Sequence, residues 1–342
     1  MAVASETISR QSLARDFSHQ HAAHCESGVM AHLLGHAGLP LSEAAAFGLS
    51  ASLAFAHLPM IRINEQALTS YRMPPGHIVR GLEKRLGIRM RRERFRDPLS
   101  GMAGLDRHLD AGRPVGLQTS VYWLPYFPED MRFHFNAHNL IVYGREGDDY
   151  LISDPVFEHP VRAHRTALMK ARFARGPFAP KGLLYYPEAV PESVDWSAVA
   201  RKAIRRTCMM MRYSPVPWIG VRGIRYLARR LERLPKRRLT TRQQQLMVGQ
   251  VIRMQEEIGT GGGGFRYLYA AFLQEAAGWT DSESLAQAAD HMATAGDTWR
   301  QFAVQGARFV KSGDEALLAS LPDLLRHCAD AERATYDLMW RA

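Results

Sequence analysis

His21-Ala-Ala-His-Cys25-Glu-Ser-Gly28 runs straight into Val29, Met30, Leu33, Leu34 and Ala37, apolar residues at helical spacing that stop at Gly38 and Pro40. The spacing predicts a helix whose N-terminus lies at or next to Cys25. The first N–H groups of a helix lack internal partners and its dipole is positive there, so an anion is favoured. A thiol held at that point loses its proton more readily, and the thiolate is the nucleophile. Cys25 also fits a small apolar core residue, the ordinary fate of a free cysteine. What separates the two readings lies downstream.

His134 to Tyr143 and Tyr150 to Asp154 read as strands joined by Gly144-Arg-Glu-Gly-Asp148. A hairpin centred near Glu146 sets His138 opposite Asp154, and directly opposed side chains have Cβ atoms about 5 Å apart. The carboxylate would then fix the imidazole's tautomer and support its charge. A one-residue slip of register would undo the match. Cys25, His138 and Asp154 are thus a nucleophile, a base and an orienting acid, distant in sequence and meeting in space. His134, on the same strand, competes with His138. Tyr122, Trp123, Tyr126 and Phe127 read either as an apolar pocket lining or as ordinary core.

The other segments frame this constellation. Ser42 to Ala56 and Ile78 to Leu86 read as helices, Arg89 to Arg96 as a basic strand or loop, Gly104 to Ala111 as a short helix, and Val115 to Val121 as a strand. A polar stretch to Ala163 is followed by a helix from Thr166 to Phe173 and a strand from Gly182 to Tyr186. Prolines 177, 180, 187 and 191 mark a boundary near residue 190. Beyond it only helices are expected, over Val199–Met211, Trp218–Leu234, Gln243–Ile258, Phe265–Gly278, Ser282–Val310 and Glu315–Trp340. The expected domains are 1–190 and 191–342.

The chain of 342 residues is 46% hydrophobic and 23% charged, an ordinary globular balance. Its three cysteines, Cys25, Cys208 and Cys328, give neither a disulfide framework nor zinc spacing, and the last two sit among core-type neighbours. No His, Asp and Glu trio has metal-ligand spacing; His24 is expected to pack or hydrogen-bond, and His32 and His36 to lie on the surface. Met1 to Phe17 lacks the apolar run of a signal peptide. The apolar region Ala44 to Ile61 is too interrupted to span a membrane. A cytoplasmic protein is expected. Net charge is +10, and Arg201 to Arg242 alone holds 14 Lys plus Arg against Glu232. Such a segment suits an acidic partner or a solvated face. Gly259 to Gly264 lacks the lysine and preceding strand of a phosphate loop and reads as a hinge or helix entry.

A cysteine opening a helix, a histidine starting a later strand and a hairpin ending in Ile152-Ser-Asp154-Pro155 resemble the small papain-like peptidases that trim double-glycine leaders. A closer resemblance lies in His24-Cys-Glu-Ser-Gly28, Gly38-Leu-Pro-Leu-Ser-Glu43, Phe47-Gly-Leu49, Pro114-Val115, Tyr122 to Tyr126 and His134-Phe135. These are similar to the N-terminal domain of the butirosin biosynthesis protein H family. Gly261-Gly-Gly-Gly-Phe-Arg266 and Leu268 to Ala277 resemble the helical domain of unknown function that usually follows it.

The resemblance implies an α+β, papain-like cysteine-protease fold followed by an all-α domain, and Cys25, His138 and Asp154 match the triad it expects. It implies an aminoacyl or acyl transferase that moves its group from an acyl-carrier-protein thioester to an amine. No bound cofactor is expected; the phosphopantetheine thioester would arrive on an acidic carrier protein, docked on Arg201–Arg242. Papain-like enzymes often carry a glutamine just before the cysteine as an oxyanion donor; Gln20 and Gln118 are imperfect fits, and the Cys25 N–H is the better donor. The same triad with water as acceptor would make a cysteine hydrolase, peptidase or thioesterase. The third class is a binding module. Trp218 to Leu234 sets Ile219, Ile224, Leu227 and Leu231 against many arginines, as a helix on an anionic membrane surface would; no nucleic-acid partner is expected.

Overall fold

The computed structural model describes residues 11–13, 17–63, 65–257 and 261–342, so most of Met1–Phe17 and the Ile258–Thr260 entry to the glycine run lie outside the described residues. The chain divides into two compact units. One comprises residues 1–42 and 87–192, the other residues 43–86 and 193–342. The second boundary falls where the prolines cluster. The excursion over residues 43–86 does not belong with the segments that flank it in sequence, which differs from the expected division into 1–190 and 191–342.

The first unit is built on a seven-stranded antiparallel sheet. Its strands are β1 (Gln11–Leu13), β4 (Arg89–Glu93), β5 (Val115–Thr119), β6 (His138–Glu146), β7 (Asp149–Ser153), β8 (Val161–His164) and β9 (Leu184–Ala189). The order is β4-β9-β5-β6-β7-β8, with β1 also pairing with β6. Helix α1 (Cys25–His36) lies on one face, where a Cβ on Gly116 would meet Leu33. Helices α4 (Pro98–Asp110) and α5 (Arg165–Arg172) lie on the other, their Met102, Leu105, Leu109 and Leu168 packing with Val115, Leu117, Leu140, Val142 and Ile152. Successive strand residues point to opposite faces, so β5 serves both cores. Strand β8 occupies what the sequence shows only as a polar stretch.

The second unit contains α2 (Glu43–Leu49), the hairpin of β2 (Leu53–Ile63) and β3 (Gln66–Arg72), and α3 (His77–Leu86). To these are joined α6 (Trp196–Met211), α7 (Gly220–Glu232), α8 (Thr241–Glu256), α9 (Arg266–Thr280), α10 (Glu283–Ser312) and α11 (Glu315–Arg341). The expected helix over Ser42–Ala56 therefore ends early: Ala51 takes a positive φ of 53°, and the apolar run beyond it is a strand. A continuous apolar run carries no period by which strand and helix can be told apart. The hairpin is no surface ornament. Phe55 and Tyr71 pack on Trp299, at ring-centroid distances of 5.6 and 5.2 Å.

At the centre of this unit Arg266 and Glu332, both fully buried, pair at 2.7 Å. Trp299 Nε1 and the Tyr336 hydroxyl also donate to Glu332, at 2.6 and 2.9 Å, and Arg266 donates to the Gly264 carbonyl at 2.6 Å. Gly261 to Gly264 all have positive φ. The Gly263 N–H donates to the Glu256 carboxylate at 3.2 Å, so an internal carboxylate already takes the donor that a phosphate loop would offer. The apolar side of α7 is also spoken for. Ile224, Leu227 and Leu231 are buried within the unit and do not form a face for a membrane. Among the described residues, no helix is long and apolar enough to cross a bilayer.

Candidate active site

Cys25 is the first residue of α1. The helix begins there because His24 is extended, at φ −135° and ψ 132°, and its Nδ1 accepts the Ser27 N–H at 3.3 Å. The Ser27 hydroxyl lies 2.8 Å from the same ring. His24 is thus a capping residue, satisfying one of the donors a helix start leaves open. Glu26 in the first turn adds a favourable charge at the positive end of the dipole. Cys25 is buried, with 7% of its surface accessible.

His138 opens β6, paired across the sheet with Thr119, and the ring of Phe127 stands edge-on to it at 5.4 Å. Its Nε2 lies 2.7 Å from Asp154 Oδ2. A carboxylate only accepts, so Nε2 carries the proton and Nδ1 is left for the sulfur of Cys25, which is hydrogen-bonded to the imidazole. Burial alone would push the imidazole pKa down. The Asp154 charge, its hydrogen bond and the Cys25 sulfur together outweigh burial and raise it to about 10. Asp154 is fully buried, and its other partners are the Tyr126 hydroxyl, which donates to Oδ2 at 2.9 Å, and the Val156 N–H, which donates to Oδ1 at 3.3 Å. Burial, and then the Asp154 charge, hold the Tyr126 pKa well above the phenol range, so Tyr126 acts as a donor.

The contact between His138 and Asp154 comes from a register other than the expected one. The turn lies at Gly147 and Asp148, one and a half residues later than a centre at Glu146, so β6 and β7 pair Glu146 with Asp149 and Gly144 with Leu151. Carried on unchanged, that register would send His138 and Asp154 to opposite faces. A bulge at Tyr143 absorbs one residue, after which Val142 pairs with Ile152 and Ile141 with Ser153. The slip restores the shared face. His138 and Asp154 end as diagonal neighbours just past the last pair, within reach of a long side chain.

A second set of contacts ties the nucleophile's segment to the acid's. The Ala22 N–H donates to the Pro155 carbonyl at 2.6 Å, and the His19 ring spans Ser153 Oγ at 2.7 Å and the Phe157 carbonyl at 3.0 Å. A Cβ on Gly28 would lie 2.7 Å from both Ala22 Cβ and Pro155 Cβ, so only glycine admits this approach. His19, Gly28 and the polar role of Tyr126 are not apparent from sequence spacing. Gly28, a glycine inside the expected helix three residues after the cysteine, is the one for which the sequence held a usable signal.

Other expected residues lie elsewhere. His134 is outside β6, exposed and stacked on Tyr122 at 4.1 Å. Gln20 is exposed, and Gln118 spends its amide on the carbonyls of Asn136 and Phe178 at 2.8 Å each, which leaves it no N–H for an oxyanion. Phe127 is core, whereas Tyr122 is exposed. His36 is exposed as expected, but His32 is buried, and burial lowers its pKa to about 4. Cys208 and Cys328 are fully buried, and burial pushes the Cys208 thiol up to about 12. Among the described residues, no group of three or more His, Cys, Asp or Glu side chains is arranged to hold a metal ion.

Residues 24–155 match the family described as butirosin biosynthesis protein H, N-terminal, and residues 166–339, just over half the chain, match a domain of unknown function, DUF4872. The chain belongs to this two-part family. Its α+β unit sets a helix that begins at a cysteine against a sheet in which β6 begins at a histidine. A solved structure described as a C39-like peptidase from Bacillus anthracis is also similar, at 14% identity and a TM-score of 0.38, over 53% of this chain and 99% of that one. No curated protein matches.

Proposed function

We propose that the chain is a cysteine-dependent acyltransferase that forms an amide. The observation that supports this most directly is the sulfur–imidazole–carboxylate line of Cys25, His138 and Asp154 at a helix N-terminus. In the first step the Cys25 sulfur attacks the carbonyl of an acyl thioester, and the tetrahedral intermediate collapses to acyl-Cys25. The imidazolium of His138 gives its proton to the departing thiol. Acylation removes the sulfur charge that helped hold that proton, so the ring is now poised as a base. It takes a proton from the incoming amine as nitrogen attacks the carbonyl carbon of acyl-Cys25; the C–S bond then breaks, the amide leaves, and the Cys25 thiolate is regenerated beside the His138 imidazolium. Thioester exchange is nearly balanced, and amide formation drives release without a nucleotide.

The donor in this reading is a phosphopantetheine thioester on an acidic carrier protein, a substrate and not a resident cofactor. The segment Arg201–Arg242 supports such a partner. Arg212 and Arg225 pair with Asp337 and Asp330, but Arg222, Arg229, Arg233, Lys236, Arg237 and Arg238 are exposed. A reduced, reactive thiol suits the cytoplasm. The test is intact-mass detection of an acyl adduct on Cys25 after mixing with acyl-carrier thioesters, followed by addition of amines. An adduct lost in Cys25→Ala and discharged to an amide supports the proposal. Discharge only to the free acid would make the chain a hydrolase, and activity retained in Cys25→Ala would remove the cysteine mechanism altogether.

A further inference from the structure

Between the start of α4, the end of α5 and the turn after β5, the first unit has an open cavity of about 480 Å³, in the range of small-molecule sites. Trp123, Met169 and Phe173 form its apolar wall, and His134, Lys170 and Arg175 its polar rim; no lining residue is acidic. Arg89, Arg145, Arg162 and Arg165 all pair with carboxylates. Lys170 and Arg175 have no carboxylate partner among the described residues. Lys170 instead holds its Nζ over the Trp123 ring, 5.1 Å from the centroid, and His134 is braced by Tyr122.

The loop carrying Arg175 is also held in place from below. Asn136, which is buried, donates to the carbonyls of Arg175 and Pro177 at 3.1 and 2.9 Å, and Gln118 donates to that of Phe178. The loop's cation is therefore presented on a fixed backbone, a pre-organised arrangement that costs a ligand little to use.

We propose that this cavity binds a small organic anion, a carboxylate or phosphate on a flat apolar body, with the body against Trp123 and Phe173 and the anion between Lys170 and Arg175. The role of the occupant rests on the acyltransferase reading: it is the non-reacting end of a substrate. Trp123 and Tyr126 belong to one turn, so the segment that walls the cavity is the segment that supports Asp154.

The experiment titrates the Cys25→Ala protein, which cannot turn over, with 2-naphthoate, 2-naphthyl phosphate and uncharged 2-naphthalenemethanol, followed by tryptophan fluorescence and calorimetry. Saturable binding of at least one anion is expected, with the alcohol weaker by about tenfold, the value of a charge-assisted contact. Preference for naphthoate or for the phosphate assigns the anion. Lys170→Gln with Arg175→Gln, both at exposed positions, is expected to weaken the anion about tenfold, and Arg308→Gln with Lys311→Gln in the other unit to leave it unchanged. Equal affinity for alcohol and anions, indifference to the Lys170 and Arg175 changes, or no saturable binding at millimolar probe would overturn the proposal. Because binding is read without turnover, it stands or falls separately from adduct formation on Cys25.

Discussion

Gly28 and Pro155 approach so closely that a methyl group on the glycine would stand 2.7 Å from the proline Cβ. This packing sets the first turn of the cysteine helix against the residue that follows Asp154. Gly28→Ala is therefore expected to cost about 1–3 kcal/mol, the range for overpacking, and to slow alkylation of Cys25. Gly35, in the same helix, has open space around its Cβ position. Gly35→Ala should stabilise by about 0.5–1 kcal/mol, as expected for an exposed helix interior. Urea unfolding of the two variants, with iodoacetamide kinetics on each, checks both.

Tyr126 and His138 share one oxygen of Asp154. The tyrosine's hydrogen bond draws charge from Oδ2 and so weakens the carboxylate's support of the imidazolium. Removing the hydroxyl in Tyr126→Phe should make His138 more basic and move the upper limb of the pH profile for Cys25 acylation by a thioester upward, by about half a unit to one unit. A tyrosine that only fills space would leave the limb where it was.

His138 sets the alkaline boundary of the same profile. Its folded pKa, about 10, is above the ordinary 6.5. Its pairing thus contributes stability in full below pH 6.5 and loses it as pH rises through about 10. Asp154→Asn removes the charge that outweighs burial, so the limb should fall below pH 10. The acyl-transfer rate is expected to drop by about a thousandfold or more, as for the loss of the orienting acid in other triads.

The acid side is governed by two other histidines. His32 and His57 are buried, and burial lowers each pKa to about 4, with Arg230 adding to the effect at His57. The unfolded chain binds those protons near pH 6.5 and the folded chain does not, so stability falls as pH drops from 6.5 towards 4, by up to about 3 kcal/mol per histidine. His57→Gln, whose amide suits the Thr69 hydroxyl 2.9 Å from the ring, should flatten part of that slope. Urea midpoints at pH 7 and pH 4.5 measure it.

The Arg266 and Glu332 pair gives the largest expected loss of stability. Glu332→Gln leaves a fully buried guanidinium without its counter-charge and should cost about 3–5 kcal/mol. Thermal unfolding would show it directly.

Helical periodicity exposed all six helices of the C-terminal half, because each has one face in a core and one in water; α1 showed through the spacing of its apolar residues and its stop at Gly38 and Pro40. The β2–β3 hairpin was not legible: its first strand is an apolar run without a period, and its packing partner Trp299 is remote in sequence. His138 and Asp154 were found from a hairpin placed three residues off in register sum at its turn. The bulge at Tyr143 recovered the parity, and no local signal in Tyr143 announces a bulge. Tyr126 reads as an aromatic among aromatics until its hydroxyl is seen on Asp154. Histidine 32 reads as exposed only when the helix is assumed to have a wet side, and α1 is buried from Cys25 through Leu34.

The excursion over residues 43–86 bears on how the polypeptide is made. Phe55 and Tyr71 leave the ribosome long before Trp299, the ring they will rest on, has been translated. Until then the nascent hairpin must stay unfinished or be shielded. A truncation at residue 190 would reproduce that interval permanently, so trimming the chain to its sheet-bearing part calls for excising 43–86 as well as the tail.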